Sequence, residues 1–180
     1  YQPPPREPEA AHAVFLAQSN GDHPCLYLAG GRKRNPSGIS NLYSAVNRFD
    51  LKTNRWERCQ PLPYALSAGT GLAAGASYLL LFGGDKGHTF NRVESLIAAA
   101  EKEQDPVKKQ QLTEEKKTAQ STHPGFSSNV LLYNTITDVW TVADSIPFAG
   151  QVTTTATRWV EDIIIPSGEI RAGVRTPHII

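Results

Sequence analysis

The sequence repeats itself, and the repeat decides what the chain can fold into. The run Cys25-Leu26-Tyr27-Leu28-Ala29-Gly30-Gly31 is echoed by Tyr78-Leu79-Leu80-Leu81-Phe82-Gly83-Gly84 and, more loosely, by Asp162-Ile163-Ile164-Ile165-Pro166-Ser167-Gly168. Each is an apolar segment ending in small residues. After the first doublet comes Asn47 to Trp56, and after the second comes Leu131 to Trp140; in both, an aromatic (Phe49, Tyr133) precedes tryptophan by seven positions. The residues between are turn formers, so each pair reads as strand, polar hairpin turn, strand. Both tryptophan segments then run into proline, at Pro61 and Pro63 and at Pro147. Proline ends sheet pairing because it has no amide donor.

A run of small and β-branched residues opens each unit: His12 to Ala17, Ser67 to Ala74 and Thr153 to Trp159. That makes four strands per unit at a period of roughly 50 residues, the signature of a kelch-type blade. The expected fold is therefore all-β, about two and a half to three blades of a β-propeller. The expected divisions are a blade over 10–63, a second over 64–147 and an incomplete one over 148–180. The glycines turn the chain tightly at the strand ends, and the aromatic and tryptophan wedge between neighbouring blades. The alternative is an antiparallel sandwich with chance glycine pairs, but a sandwich has no reason to repeat whole four-strand units. The third unit stops at Ile180 before its own aromatic and tryptophan. Open blade edges invite pairing, so the expected partner is the missing propeller half or another copy of the chain.

The second unit carries an insertion. Gly31 to Phe49 is 18 positions and Gly84 to Tyr133 is 49, and the extra segment, 91–123, is rich in helix formers. It reads as two helices broken at Asp105-Pro106, where aspartate caps and proline suits the first turn. Its six basic residues equal its six acidic ones, which favours a solvated helical hairpin over a nucleic-acid arm. The whole chain, with 18 basic and 17 acidic residues, has no long-range field to recommend nucleic acid or an anionic membrane. The most apolar stretch, Leu72 to Phe82, is too short to span a bilayer. Cys25 and Cys59 show no metal or redox spacing and read as small buried residues, a disulfide being the alternative. The start, Tyr1-Gln2-Pro3-Pro4-Pro5, and the absence of methionine suggest a processed or excised piece.

No Walker loop, zinc helix, nucleophile elbow or Cys-x-x-Cys pair is present. Gly69-Thr70-Gly71 sits inside a blade's opening strand, the wrong context for a nucleotide loop. The five histidines lack ligand spacing, so no metal is expected. The repeat points to better candidates, because equivalent propeller loops converge around one channel mouth. The residue directly after each small doublet is charged: Arg32, Asp85 and Glu169. The insertion leaves from this same loop, so a channel mouth of mixed charge under a partial roof suits a small polar ligand. In the third unit, Glu169 and Arg175 lie three positions either side of Ala172 and should face each other across a hairpin. On the residues alone, a simple cross-strand ion pair accounts for them.

The run Ile163 to Thr176, with its Gly-Glu, five residues, Arg-Thr pattern, resembles the bacterial N-acetylneuraminate mutarotases (epimerases) and their cyclically permuted relatives. So do Gly83-Gly84 through Phe90-Asn91 and the Lys52-Thr53-Asn54-x-Trp56 turn. The resemblance implies a six-bladed propeller that interconverts the α and β anomers of free sialic acid. It implies Glu169 and Arg175 as catalytic residues, with Arg32, Asp85, Asn91 and Arg171 as candidates to line the substrate site. It requires no metal and no nucleotide cofactor, and it implies a bacterial, periplasmic or secreted location. The competing expectation is a non-catalytic kelch module that binds a protein or glycan.

Overall fold

The repeat folds into four-stranded antiparallel sheets in the computed structural model, which describes residues 10–180. The Tyr1–Pro5 start lies outside the described residues. In the first unit β1 (Val14–Ser19) and β2 (Pro24–Ala29) are followed by a small hairpin, β3 (Arg32–Arg34) with β4 (Ser40–Leu42), and then by β5 (Val46–Asp50) and β6 (Arg55–Cys59). The sheet order is β1-β2-β5-β6. The second unit has β7 (Thr70–Ala74), β8 (Tyr78–Phe82), helices α1 (His88–Lys102) and α2 (Pro106–Ser121), then β9 (Asn129–Asn134) and β10 (Val139–Ser145). Its order is again sequential, β7-β8-β9-β10. The third unit pairs β11 (Thr157–Trp159) with β12 (Asp162–Ile164), and β13 (Glu169–Arg171) with β14 (Val174–Arg175).

The opening strands meet one another: β7 contacts β1 on one side and β11 on the other. Strand alternation then buries both faces of the middle sheet, since successive side chains point to opposite sides. From β8, Leu79 and Leu81 enter a core with Val14, Tyr27, Val46 and Cys59 of the first unit. Leu80 and Phe82 point the other way, into a core with Ala156, Ile163 and Ile165 of the third. Two closed faces on one sheet are what blades arranged side by side require, and a two-layer sandwich buries only one face of each sheet.

The aromatic-to-tryptophan spacing becomes cross-strand pairing: Phe49 opposes Trp56, and Tyr133 opposes Trp140. Their rings lie 5.2 Å and 4.5 Å apart. Tyr133 also meets Tyr27 of the first unit edge-on at 5.9 Å, and Trp140 Nε1 donates to Gln60 O at 3.0 Å. This second pair is the wedge between units.

The glycine doublets do more than turn the chain. Gly30 and Gly83 have φ of 68° and 66°, the left-handed region, and the following unit's backbone lies against them. A Cβ on Gly30 would sit 2.2 Å from Leu66 O, and one on Gly83 would sit 1.9 Å from Gln151 O. The second glycine of each doublet donates its amide to that same carbonyl, Gly31 to Leu66 at 2.7 Å and Gly84 to Gln151 at 3.2 Å. Ser167 takes the equivalent left-handed position in the third unit, with φ of 51°.

The opening strands begin later than their composition suggests, at Val14, Thr70 and Thr157. The reason is local: His12, Ala68 and Thr153 are left-handed, with φ of 58°, 57° and 54°, which breaks the extended run. Asp105 caps α2 by accepting from Val107 N at 2.8 Å, and Pro106 occupies its first turn. Cys25 and Cys59 are buried free thiols, and burial pushes both thiol pKa values up.

Asp50 closes the β5–β6 hairpin. Its carboxylate accepts from the amides of Thr53 and Lys52 at 2.9 and 2.8 Å and contacts His23 Nδ1 at 2.8 Å. The Thr53 amide, then the His23 ring, lower its pKa from 3.8 to about 2. A folded value below the unfolded one means the stabilisation is present above pH 3.8 and is lost as pH falls toward 2. Acid unfolding followed by tryptophan fluorescence should therefore be steep across that window in the wild type and flatter in Asp50→Asn. Equal slopes in the two proteins would show that this hairpin does not drive acid unfolding.

Candidate functional site

The residue after each small doublet is pinned by the same device in all three units. Arg32 exchanges two backbone hydrogen bonds with Ala11, both 2.8 Å, and Asp85 does so with Ser67 at 2.8 and 3.0 Å. Glu169 does so with Val152, both 3.0 Å. The residues that follow the partners, His12, Ala68 and Thr153, are the left-handed ones, and they link the units together. Ala68 N donates to His12 O at 2.9 Å, and Thr153 N donates to Ala68 O at 3.3 Å. A continuous backbone rim results, with one charged side chain per unit set beside it.

These residues share one space. Arg32, Asp85 and Glu169 all line one cleft of about 310 Å³, together with the rim residues His12, Ala68 and Thr153. Three residues separated by 53 and 84 positions in the chain are brought to one space by the repeat. Further walls come from Ala172 and Gly173 of the third-unit hairpin and from the helical segment: Thr89, Phe90 and Val93 of α1, and Gln120, His123 and Phe126 at and beyond the end of α2. The insertion is fastened over the first unit. Ser40 donates its amide and hydroxyl to the Glu94 carboxylate at 2.6 and 3.0 Å, and Leu42 packs where a Cβ on Gly87 would lie.

Each charged group has a defined posture. The Arg32 guanidinium lies over the Phe90 ring at 4.1 Å, a cation–π contact that orients it without consuming its donors. Asp85 Oδ1 accepts from Gly87 N at 2.7 Å at the start of the insertion, leaving Oδ2 free of that bond. Glu169 Oε1 accepts from the amide of Gly173 in its own hairpin turn. Its second oxygen is the one available to a ligand. The cleft thus offers a fixed cation, two carboxylates with one oxygen each held, and apolar walls from Phe90, Val93 and Phe126. That combination can bind a small anionic polyol and move a proton on it.

Of the other residues singled out in the sequence, Arg175 stands directly opposite Glu169 in the β13–β14 register. The two do not form the simple ion pair. Arg175 Nη2 donates instead to Thr153 Oγ1 at 3.2 Å and to Thr153 O at 3.5 Å, so it meets the cleft through a rim residue. Asn91 and Arg171 stand off the cleft wall. Asn91 is on α1 with a buried, unpartnered Oδ1, because the helix rotates it away from the face that carries Phe90 and Val93. Arg171 is exposed: strand alternation would set it on the side of Glu169, but the register shifts between the two residues. Among the described residues no cluster of three His, Cys, Asp or Glu could hold a metal ion, and no helix is long and apolar enough to cross a membrane.

The sequence reading missed His12, Phe90, Gln120, His123, Phe126 and Thr153 as lining residues. One signal was present. Helices of 15 and 16 residues folded back on each other must return the chain to where it left, so the residues after α2 belong beside those before α1.

Comparison with known proteins agrees with this architecture. The N-acetylneuraminate epimerase of Salmonella typhimurium (strain LT2) is 27% identical over 173 residues, covering 95% of this chain and 43% of that protein. The enzyme of the same name from Vibrio vulnificus (strain YJ016) is 22% identical over 160 residues, covering 88% and 42%. The chain therefore spans less than half the length of the curated relatives it matches. The solved structure of YjhT superposes with a TM-score of 0.74 at 18% identity, over 94% of this chain and 48% of that one, and it shares the propeller fold. The family model for N-acetylneuraminate epimerase matches residues 6–180, nearly the whole sequence, and the chain belongs to that family.

Proposed function

We propose that the protein carrying this chain is a sialic acid mutarotase, interconverting the α and β anomers of free N-acetylneuraminate. The observation that supports it best is the meeting of Arg32, Asp85 and Glu169 from three successive units in one cleft of about 310 Å³, room enough for a monosaccharide. Family membership supports the same reading.

Anomerisation needs little machinery. The anomeric hydroxyl gives up its proton, the bond from the anomeric carbon to the ring oxygen breaks, and the ring oxygen takes a proton. The open ketone then recloses on its other face by the reverse steps, so no proton is gained or lost overall. Glu169, through the oxygen not held by Gly173, accepts the hydroxyl proton and returns it. Arg32 takes the sugar carboxylate in two-point fashion and steadies negative charge near the reacting carbon. Arg175 keeps Thr153, and with it the rim beside Glu169, in position. The reading assigns no cofactor, a carbohydrate-metabolic role and a periplasmic or secreted bacterial location. It also assigns the remainder of the propeller as the partner that completes the site, which the greater length of the relatives supports.

Proton NMR of freshly dissolved N-acetylneuraminate tests this directly. The full-length protein should bring the anomers to equilibrium well ahead of the uncatalysed rate. Saturable binding with no change in that rate would identify a non-catalytic sugar-binding propeller instead.

A further inference from the structure

The end of the insertion places a histidine on the cleft wall that neither the proton transfer nor the carboxylate grip uses. His123 is 7% exposed, lines the cleft, and packs its ring against Phe126 at 4.8 Å. Its Nδ1 accepts from the backbone amide of Gly125 at 3.0 Å. A backbone amide can only donate, so Nδ1 carries a lone pair and the neutral ring must hold its proton on Nε2. Nε2 has no hydrogen-bond partner among the described residues and is not one of the sealed, unpartnered polar atoms. It therefore keeps access to solvent, and the open space that His123 borders is the cleft.

The local chemistry is specific. A base is ruled out at this edge of the ring, because the nitrogen turned to the cleft already has its hydrogen. A neutral donor suits a neutral acceptor oxygen better than a carboxylate, for which Arg32 is the stronger partner. Beside the donor is the apolar face of Phe126, with Phe90 and Val93 in the same cleft. A group that presents a carbonyl oxygen and a methyl side by side satisfies both halves of this surface. A hydroxyl oxygen is bonded directly to the ring carbon, two bonds short of where the carbonyl oxygen sits, so it falls short of the donor and leaves the aromatic face against water.

We infer that His123 and Phe126 form the subsite that selects the acetamido group of the sugar, His123 Nε2–H donating to its carbonyl oxygen and Phe126 covering its methyl. This rests on the mutarotase reading and deepens it. His123 is thereby a specificity-determining residue, and Gly125 fixes the tautomer that lets it serve.

The test compares two sugars with the full-length protein: N-acetylneuraminate, and its deaminated analogue carrying a hydroxyl in place of the acetamido group. Anomer exchange of each is followed by proton NMR, and the ratio of the two kcat/KM values is the readout. The wild type should prefer the acetylated sugar by about fivefold to tenfold, the worth of a hydrogen bond with its apolar contact. His123→Phe keeps an aromatic ring but has no donor, and the ratio should fall by more than half, to the share the Phe126 contact supplies, with the loss carried by the acetylated sugar through KM. His123→Gln restores a donor close to the Nε2 position and should recover most of the preference. A purely structural histidine predicts something different: both variants would slow both sugars alike and lower the melting temperature without changing the ratio, and that result overturns the subsite. So does a wild type that exchanges both sugars with equal kcat/KM. Failure of the wild type to accelerate either sugar overturns the mutarotase reading itself, and the subsite with it.

Discussion

Glu169→Gln is expected to lose most of the catalysed anomer exchange while leaving the protein folded and able to bind sialic acid. Removing a positioned general base costs typically 10²- to 10⁴-fold in rate, and a loss of about that size should appear in the NMR time course. Glutamine keeps the shape of glutamate and a carbonyl oxygen that can still accept from Gly173, so the β13–β14 hairpin has no reason to move. What it lacks is an oxygen that can take up and return a proton. The melting temperature and the calorimetric affinity for N-acetylneuraminate should therefore stay close to wild type. A Glu169→Gln protein that exchanges anomers at the wild-type rate would remove this carboxylate from the mechanism. A protein that loses binding and rate together would make it a binding residue.

Gly83→Ala is expected to destabilise the fold strongly, because a backbone clash and a left-handed conformation fall on one residue. The new Cβ would lie 1.9 Å from Gln151 O, a backbone atom that can retreat only by pulling the third unit off the second. The residue is also left-handed, which alone costs about 1–2 kcal/mol for a residue with a Cβ. The sum is about 3 kcal/mol or more, which for a domain of this size is a fall in Tm of roughly 10 °C. Gly173→Ala is the matched control: its φ is 73°, but nothing lies within 4 Å of the added carbon. It should cost only the conformational part, about 1–2 kcal/mol. Thermal unfolding of the two variants separates the contributions. If they fall by the same amount, the close approach of the third unit is not what makes glycine necessary at position 83.

The contrast between what was legible and what was not follows from where the information sits. The doublets, the aromatic–tryptophan pairs and the Asp105-Pro106 break each depend on a residue type with few substitutes, so they show in the sequence. The facing of Glu169 and Arg175 followed from counting along a tight hairpin, and the register bears it out. Their chemistry did not follow, because register says nothing about rotamer; Arg175 turned to Thr153 while Glu169 bonded its own turn. Convergence of Arg32, Asp85 and Glu169 could be read from the repeat, since equivalent positions in equivalent units must approach one axis. Asn91 and Arg171 fall off the cleft wall through the rotation of α1 and the register shift inside β13, neither of which can be counted from the sequence. The rim itself was invisible: His12, Ala68 and Thr153 share a backbone conformation and nothing else that a composition scan can detect.

That last disparity has a consequence for how such a protein can change. Because the units are tied together there by amides and carbonyls, the lip of the cavity owes its shape to the main chain and not to which amino acid occupies each place. A histidine, an alanine and a threonine already adopt the left-handed conformation at these three places, so the backbone there accepts more than one kind of side chain. New ligand preferences can therefore be tried out at the mouth with the scaffold untouched, one substitution at a time.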